Sequence, residues 1–135
     1  MTDPILERYI QIIRENKTGD VTPDGESILK IYNDGTKVWR NKQGQYHRRD
    51  GPAIEFDNGD KAWYINGDRH REDGPAVEYD SGVRYWYIND KRHREDGPAI
   101  EWVSGDKWWY INGEELSEDE FYAYIVNKAI KGKKK

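Results

Sequence analysis

Cysteine is absent from the 135 residues, which removes disulfides and thiolate-held metals from consideration. The absence fits a reducing compartment. Long apolar runs are missing as well. No stretch approaches the roughly 20 residues that span a bilayer, and the opening MTDPILERYIQ carries charge where a secretion signal has an apolar core. A cytoplasmic protein with no membrane contact is expected. Nor is there a G-x-S-x-G elbow, a phosphate loop or a thiol nucleophile, so the chain is expected not to be an enzyme. Apolar content is low at 35%, and mean hydropathy is −1.15, values that alone suggest weak folding. Six Trp and ten Tyr argue the other way, because each ring buries a large area. The expectation is a folded, thin, surface-rich protein with a largely aromatic core.

The net charge of −4 is unevenly spread. The last eight residues, KAIKGKKK, hold five lysines and no acid. The body before them sits near −9, with 17 basic residues against 26 acidic. A general nucleic-acid binder is expected to have a basic face, so direct nucleic-acid binding is not expected here. The lysine tail is either a solubilising end or an element steering the chain to an acidic partner.

What is present is repetition. Gly51–Asp73, Gly74–Asp96 and Gly97–Asp119 follow one another in a 23-residue frame, and Ser27–Asp50 is a looser copy with one extra residue. A period this short implies one supersecondary unit stacked on its neighbours, since a lone unit cannot bury a core. Within a unit the signals are hairpins. Asn58-Gly59 and Asn66-Gly67 read as two-residue turns. They pair Phe56 with Lys61, Ile54 with Trp63, Ile65 with Asp68 and Trp63 with His70. Period-2 alternation then puts Ile54, Phe56, Trp63, Ile65 and His70 on one face. Ala53, Glu55, Ala62, Tyr64, Arg69 and Arg71 fall on the other. Asp3-Pro4 opens an amphipathic helix, and Ser117-x-x-Glu120 is a capping box opening a second, striped by Phe121, Tyr124, Ile125 and Ala129.

The expected fold is mainly β: an antiparallel β-hairpin repeat array with an N-terminal and a C-terminal capping α-helix. One domain spans 1–135, with a helix over 3–16, four hairpin repeats over 27–119, a helix over 117–130 and a basic tail over 131–135.

The unit WYINGxxHREDGPA, at Trp63–Ala76 and Trp86–Ala99, resembles the MORN-variant repeats of phage and large DNA-virus proteins. The resemblance covers roughly Ile28–Asp119. It implies a sheet of stacked hairpins used as a docking surface. It further implies a phage protein acting in the host cytoplasm on a host protein, such as a nuclease or immune effector of bacterial defence. HREDGPA stands where MORN units have a Gly-rich segment, so lipid binding is not carried over.

Near-identical units make surfaces more readily than catalytic sites. His47, His70 and His93 each precede an Asp by three residues, a spacing open to metal or acid–base readings. The fourth position of that column is Leu116, which marks a packing slot, so no metal or cofactor is expected. Glu55, Glu78 and Glu101 read as cross-strand partners of Arg69, Arg92 and nearby lysines. The expected partner-binding residues are Tyr64, Tyr87 and Tyr110, widened by Tyr85 and Trp108 and flanked by Arg69 and Arg92, because Tyr, Trp and Arg anchor interfaces. That reading holds if the helices cover the Trp face; if they cover the Tyr face it inverts. The function expected is non-enzymatic protein binding that inhibits a host factor by steric occlusion or acidic mimicry. A nucleotide-signal or glycan binder using the aromatics, and a structural oligomer joined at hairpin edges, are the alternatives.

Overall fold

The structure, a computed structural model, describes residues 3–6 and 17–133. It is mainly β. Strands β1 (Ile28–Ile31), β2 (Lys37–Arg40), β3 (Ile54–Glu55) and β4 (Lys61–Ala62) come first. After them come β5 (Tyr64–Ile65), β6 (Asp68–Arg69), β7 (Val77–Glu78), β8 (Arg84–Tyr85), β9 (Tyr87–Ile88) and β10 (Lys91–Arg92). β11 (Ile100–Glu101), β12 (Lys107–Ile111), β13 (Glu114–Leu116) and helix α1 (Glu118–Lys133) complete the chain. Nine strands form one antiparallel sheet in the order β1-β2-β3-β4-β7-β8-β11-β12-β13, with β5–β6 and β9–β10 as separate hairpins.

Two adjacent rows run across this sheet. In one, Val38, Ile54, Ala62, Val77, Tyr85, Ile100 and Trp108 face one another in turn. In the next, Lys37, Glu55, Lys61, Glu78, Arg84, Glu101 and Lys107 alternate in sign at every step. Opposite charges directly across strands stabilise the pairing and like charges oppose it, so the ladder fixes the register. The core lies on the apolar side, where Tyr64 and Val77 pack against buried Val38, Ile54 and Ala62.

This register differs by one residue from the one a two-residue Asn58-Gly59 turn predicts. Ile54 faces Ala62, not Trp63, and Glu55 faces Lys61 in place of Phe56. The turn is a three-residue loop: Gly59 N–H donates to Phe56 C=O (3.1 Å) and Phe56 N–H to Asp60 C=O (2.9 Å). Gly59 sits at φ +98°, the left-handed bulge position that follows a type I turn. A one-residue slip sends side chains to the other face. Tyr64 therefore joins the Ile54 side and Trp63 leaves it. The second turn is a two-residue one: Ile65 faces Asp68, with Asn66 at φ 48° and Gly67 at φ 86°, as a type I′ turn requires.

Of the helix expected over 3–16, residues 4–6 are described and helical, and Ile5 N–H donates to Asp3 Oδ1 at 3.0 Å. Residues 7–16 lie outside the described residues. The capping box of α1 is formed: Ser117 N–H donates to Glu120 Oε1 (3.0 Å) and Glu120 N–H to Ser117 Oγ (3.1 Å). The helix runs on to Lys133, where late lysines suit the negative end of the helix dipole. It contacts β12 and β13, and Phe121 is its buried residue.

Candidate functional site

The HREDGPA segment is structural in every atom that has a partner. Arg71 lies over the Trp63 ring at 3.9 Å. Its Nε donates to Asp73 (3.2 Å) and its Nη1 to Pro75 C=O (3.0 Å) and Glu78 (3.2 Å). A Cβ on Gly74 would come within 2.8 Å of Arg71 Cζ, so glycine is needed there for the guanidinium to lie flat. Arg48 on Trp39 and Arg94 on Trp86 stack the same way, at 3.8 and 3.9 Å. The glutamates face the neighbouring lysines across the strands as expected, but the arginines they meet are Arg48, Arg71 and Arg94 in place of Arg69 and Arg92. In the last unit Ser117 stands in place of the arginine, and the Trp109 Nε1 is buried without a hydrogen-bond partner.

The histidines tie one unit to the next. Nδ1 of His47, His70 and His93 accepts the backbone N–H of Asn66, Asn89 and Asn112, at 2.9, 3.0 and 3.0 Å. That nitrogen therefore carries no proton and is not free for a metal. The described residues contain no cluster of three or more His or carboxylate groups placed to hold a metal ion. Two grooves of about 630 and 620 Å³ open on this side, one around Trp63 and His70 and the other around Trp86 and His93. Both are walled by the ion-paired arginines just described.

The opposite, apolar face holds the expected binding residues. Tyr87 is buried (6% exposed), and Arg69 lies over its ring at 4.1 Å while donating from Nε to Asp90 at 2.6 Å. That donor holds the Asp90 carboxyl below the usual carboxylate range. Tyr64 is half-buried against Tyr46, with ring centroids 5.1 Å apart, and burial pushes its hydroxyl up. Arg92 lies between Tyr85 and Tyr110, at 5.9 and 5.3 Å from their rings. These tyrosines and arginines thus support one another from within the face. Tyr85 and Trp108 are both half-buried, as are Tyr64 and Tyr110.

Beside them stands a second aromatic column. Tyr32, Phe56, Tyr79 and Trp102 are 36, 43, 44 and 45% exposed. Each closes its loop with the same two backbone bonds, from Tyr32 to Thr36, Phe56 to Asp60, Tyr79 to Val83 and Trp102 to Asp106. Being the last residue before the loop, each ring stands at the sheet margin, beyond the ladder that would bury it. Tyr79 meets Tyr85 edge-on (5.9 Å) and Trp102 meets Trp108 likewise (6.2 Å). The loop tips bear Asp34, Asp57, Asp60, Asp80 and Asp106 and no Lys or Arg. Backbone and side-chain donors of Thr36 hold Asp34 below the usual carboxylate range.

No family model matches the chain, and neither the curated proteins nor the solved structures contain a match. No helix among the described residues is long and apolar enough to cross a membrane.

Proposed function

We propose that this chain is a non-enzymatic protein-binding module: a MORN-type array of 23-residue hairpins whose aromatic face docks a partner. The observation that carries the reading is the exposed column Tyr32, Phe56, Tyr79 and Trp102, backed by half-buried Tyr85 and Trp108. Contiguous exposed aromatics rimmed by polar groups mark interaction sites, and aromatic anchors dominate binding energy. On the other face the histidines and the stacked arginines already have intramolecular partners. The WYINGxxHREDGPA resemblance makes a host factor of bacterial defence the proposed partner class. The proposed mechanism is occlusion of that partner's surface. The acidic body and loop tips suit a basic target.

The test is affinity capture from bacterial lysate with wild type and with Tyr79→Ala/Trp102→Ala. Both rings are exposed, so the variant is expected to keep its thermal midpoint within a few degrees. A partner held by wild type is expected to bind the variant at least tenfold more weakly, since each hot spot contributes about 2 kcal/mol or more. Equal capture by a folded variant would move the site off this face. Molar salt is expected to weaken capture if charge contributes.

A further inference from the structure

We propose that the aromatic column takes a proline-rich, basic segment in the polyproline II conformation; this rests on the protein-binding reading above. Tyr32, Phe56, Tyr79 and Trp102 follow β1, β3, β7 and β11, each two strands from the next. Neighbouring strands lie about 4.8 Å apart, so the rings repeat every ~9.6 Å. A polyproline II helix has three residues per turn and rises ~3.1 Å per residue, repeating one face every ~9.3 Å. Over three intervals the mismatch is about 1 Å.

The other regular conformations fit less well. An α-helix offers its nearest equivalent at seven residues, ~10.5 Å, and drifts about 20° around its axis each time. An extended strand presents one face every second residue, ~6.7 Å, and its third residue points away. Polyproline II is the conformation that puts like side chains on successive rings of this column. Ring faces are also the surface on which proline-rich segments dock.

Charge points to the same kind of occupant. The loop tips beside the rings carry five aspartates and no basic residue. The carboxylates of Asp57 and Asp80 lie on exposed residues that immediately follow Phe56 and Tyr79. Lys30 already places its Nζ 4.7 Å from the centre of the Tyr32 ring, the kind of cation–ring contact a basic ligand would extend along the column. An occupant with prolines toward the rings and Lys or Arg toward the tips satisfies both rows.

The experiment is calorimetric titration of the full chain with the twelve-residue peptide (Pro-Pro-Lys)4, against (Gly-Gly-Lys)4 and (Pro-Pro-Glu)4. The expected result is binding of (Pro-Pro-Lys)4 at least tenfold tighter than either control. Tyr79→Ala/Trp102→Ala is expected to weaken it tenfold or more. Asp57→Lys/Asp80→Lys, which keeps every ring, is expected to weaken it to a similar degree. Equal binding of (Pro-Pro-Lys)4 and (Gly-Gly-Lys)4, or no binding of any peptide at 1 mM, would overturn the proposal. If a lysate partner is nevertheless lost on Tyr79→Ala/Trp102→Ala, docking at the column stands and the polyproline assignment alone falls.

Discussion

Phe121→Ala is expected to lower stability by about 3–5 kcal/mol and to release the C-terminal helix. The reason is concentration of burial in one residue. Phe121 is 1% exposed, whereas Tyr124 and Ile125 are half-buried and most of α1 is exposed. Beyond Phe121, the helix is tied back by the Lys128–Glu95 ion pair, an exposed contact worth little by itself. Helices of this length are marginal without tertiary packing, so loss of the ring is expected to melt the helix as well as open a cavity. β13 is the last strand of the sheet, and the helix contacts both it and β12. Its release would expose the surface of β12 and β13 that it now contacts and is expected to promote association. Urea denaturation and amide exchange check this. A loss under 1 kcal/mol, with α1 amides still protected, would contradict it.

Arg71→Ala is expected to cost about 2–3 kcal/mol, from a stacked cation and its charge-assisted hydrogen bonds. Its guanidinium covers Trp63 and reaches Asp73, Pro75 and Glu78 together, a set that needs a flat fork with several donors. Arg71→Lys is therefore expected to recover less than half of the loss, because an ammonium cannot supply that fork. Arg49 offers the contrast. It pairs with Glu26 at 2.6 Å, but its side chain is 53% exposed, so Arg49→Ala is expected to stay within about 0.5 kcal/mol of wild type. Urea midpoints of the three variants decide the matter. Arg71→Lys indistinguishable from wild type would show that charge alone holds the segment.

The features legible in the sequence were those whose physics is local. The Ser117–Glu120 capping box lies within four residues and formed as read. Asn66-Gly67 gave its hairpin correctly, because two successive positive φ angles restrict the turn to one type. Asn58-Gly59 misled because the same dipeptide also fits a type I turn with a bulge. The deciding signal lay across the strands. The observed register sets Glu55 against both Lys37 and Lys61 and leaves Ile54 opposite Val38 and Ala62, whereas the other register sets Phe56 against Lys61. Cross-strand pairing chemistry could have settled it.

The site suffered most from that single residue. With the slip, Tyr64 and Tyr87 read as surface, yet Tyr87 is buried and Tyr64 packs on the core. Phe56, Tyr79 and Trp102 share the Ile54 face in either register, and they stand exposed because each ends its strand at the sheet margin. The histidine slot was readable as structural from Leu116. Its partner was not, because the accepting bond reaches a turn nineteen residues away in sequence.

The proposed docking surface is the aromatic column and not the Trp–His–Arg side. Site-specific photo-crosslinking tests it most directly, with a photoreactive phenylalanine replacing either Tyr79 on the column or Ile65 beside the Trp63 groove. In lysate, the account predicts a discrete adduct from position 79 and none from position 65. An adduct from position 65 alone would contradict it and transfer the docking surface to the opposite face.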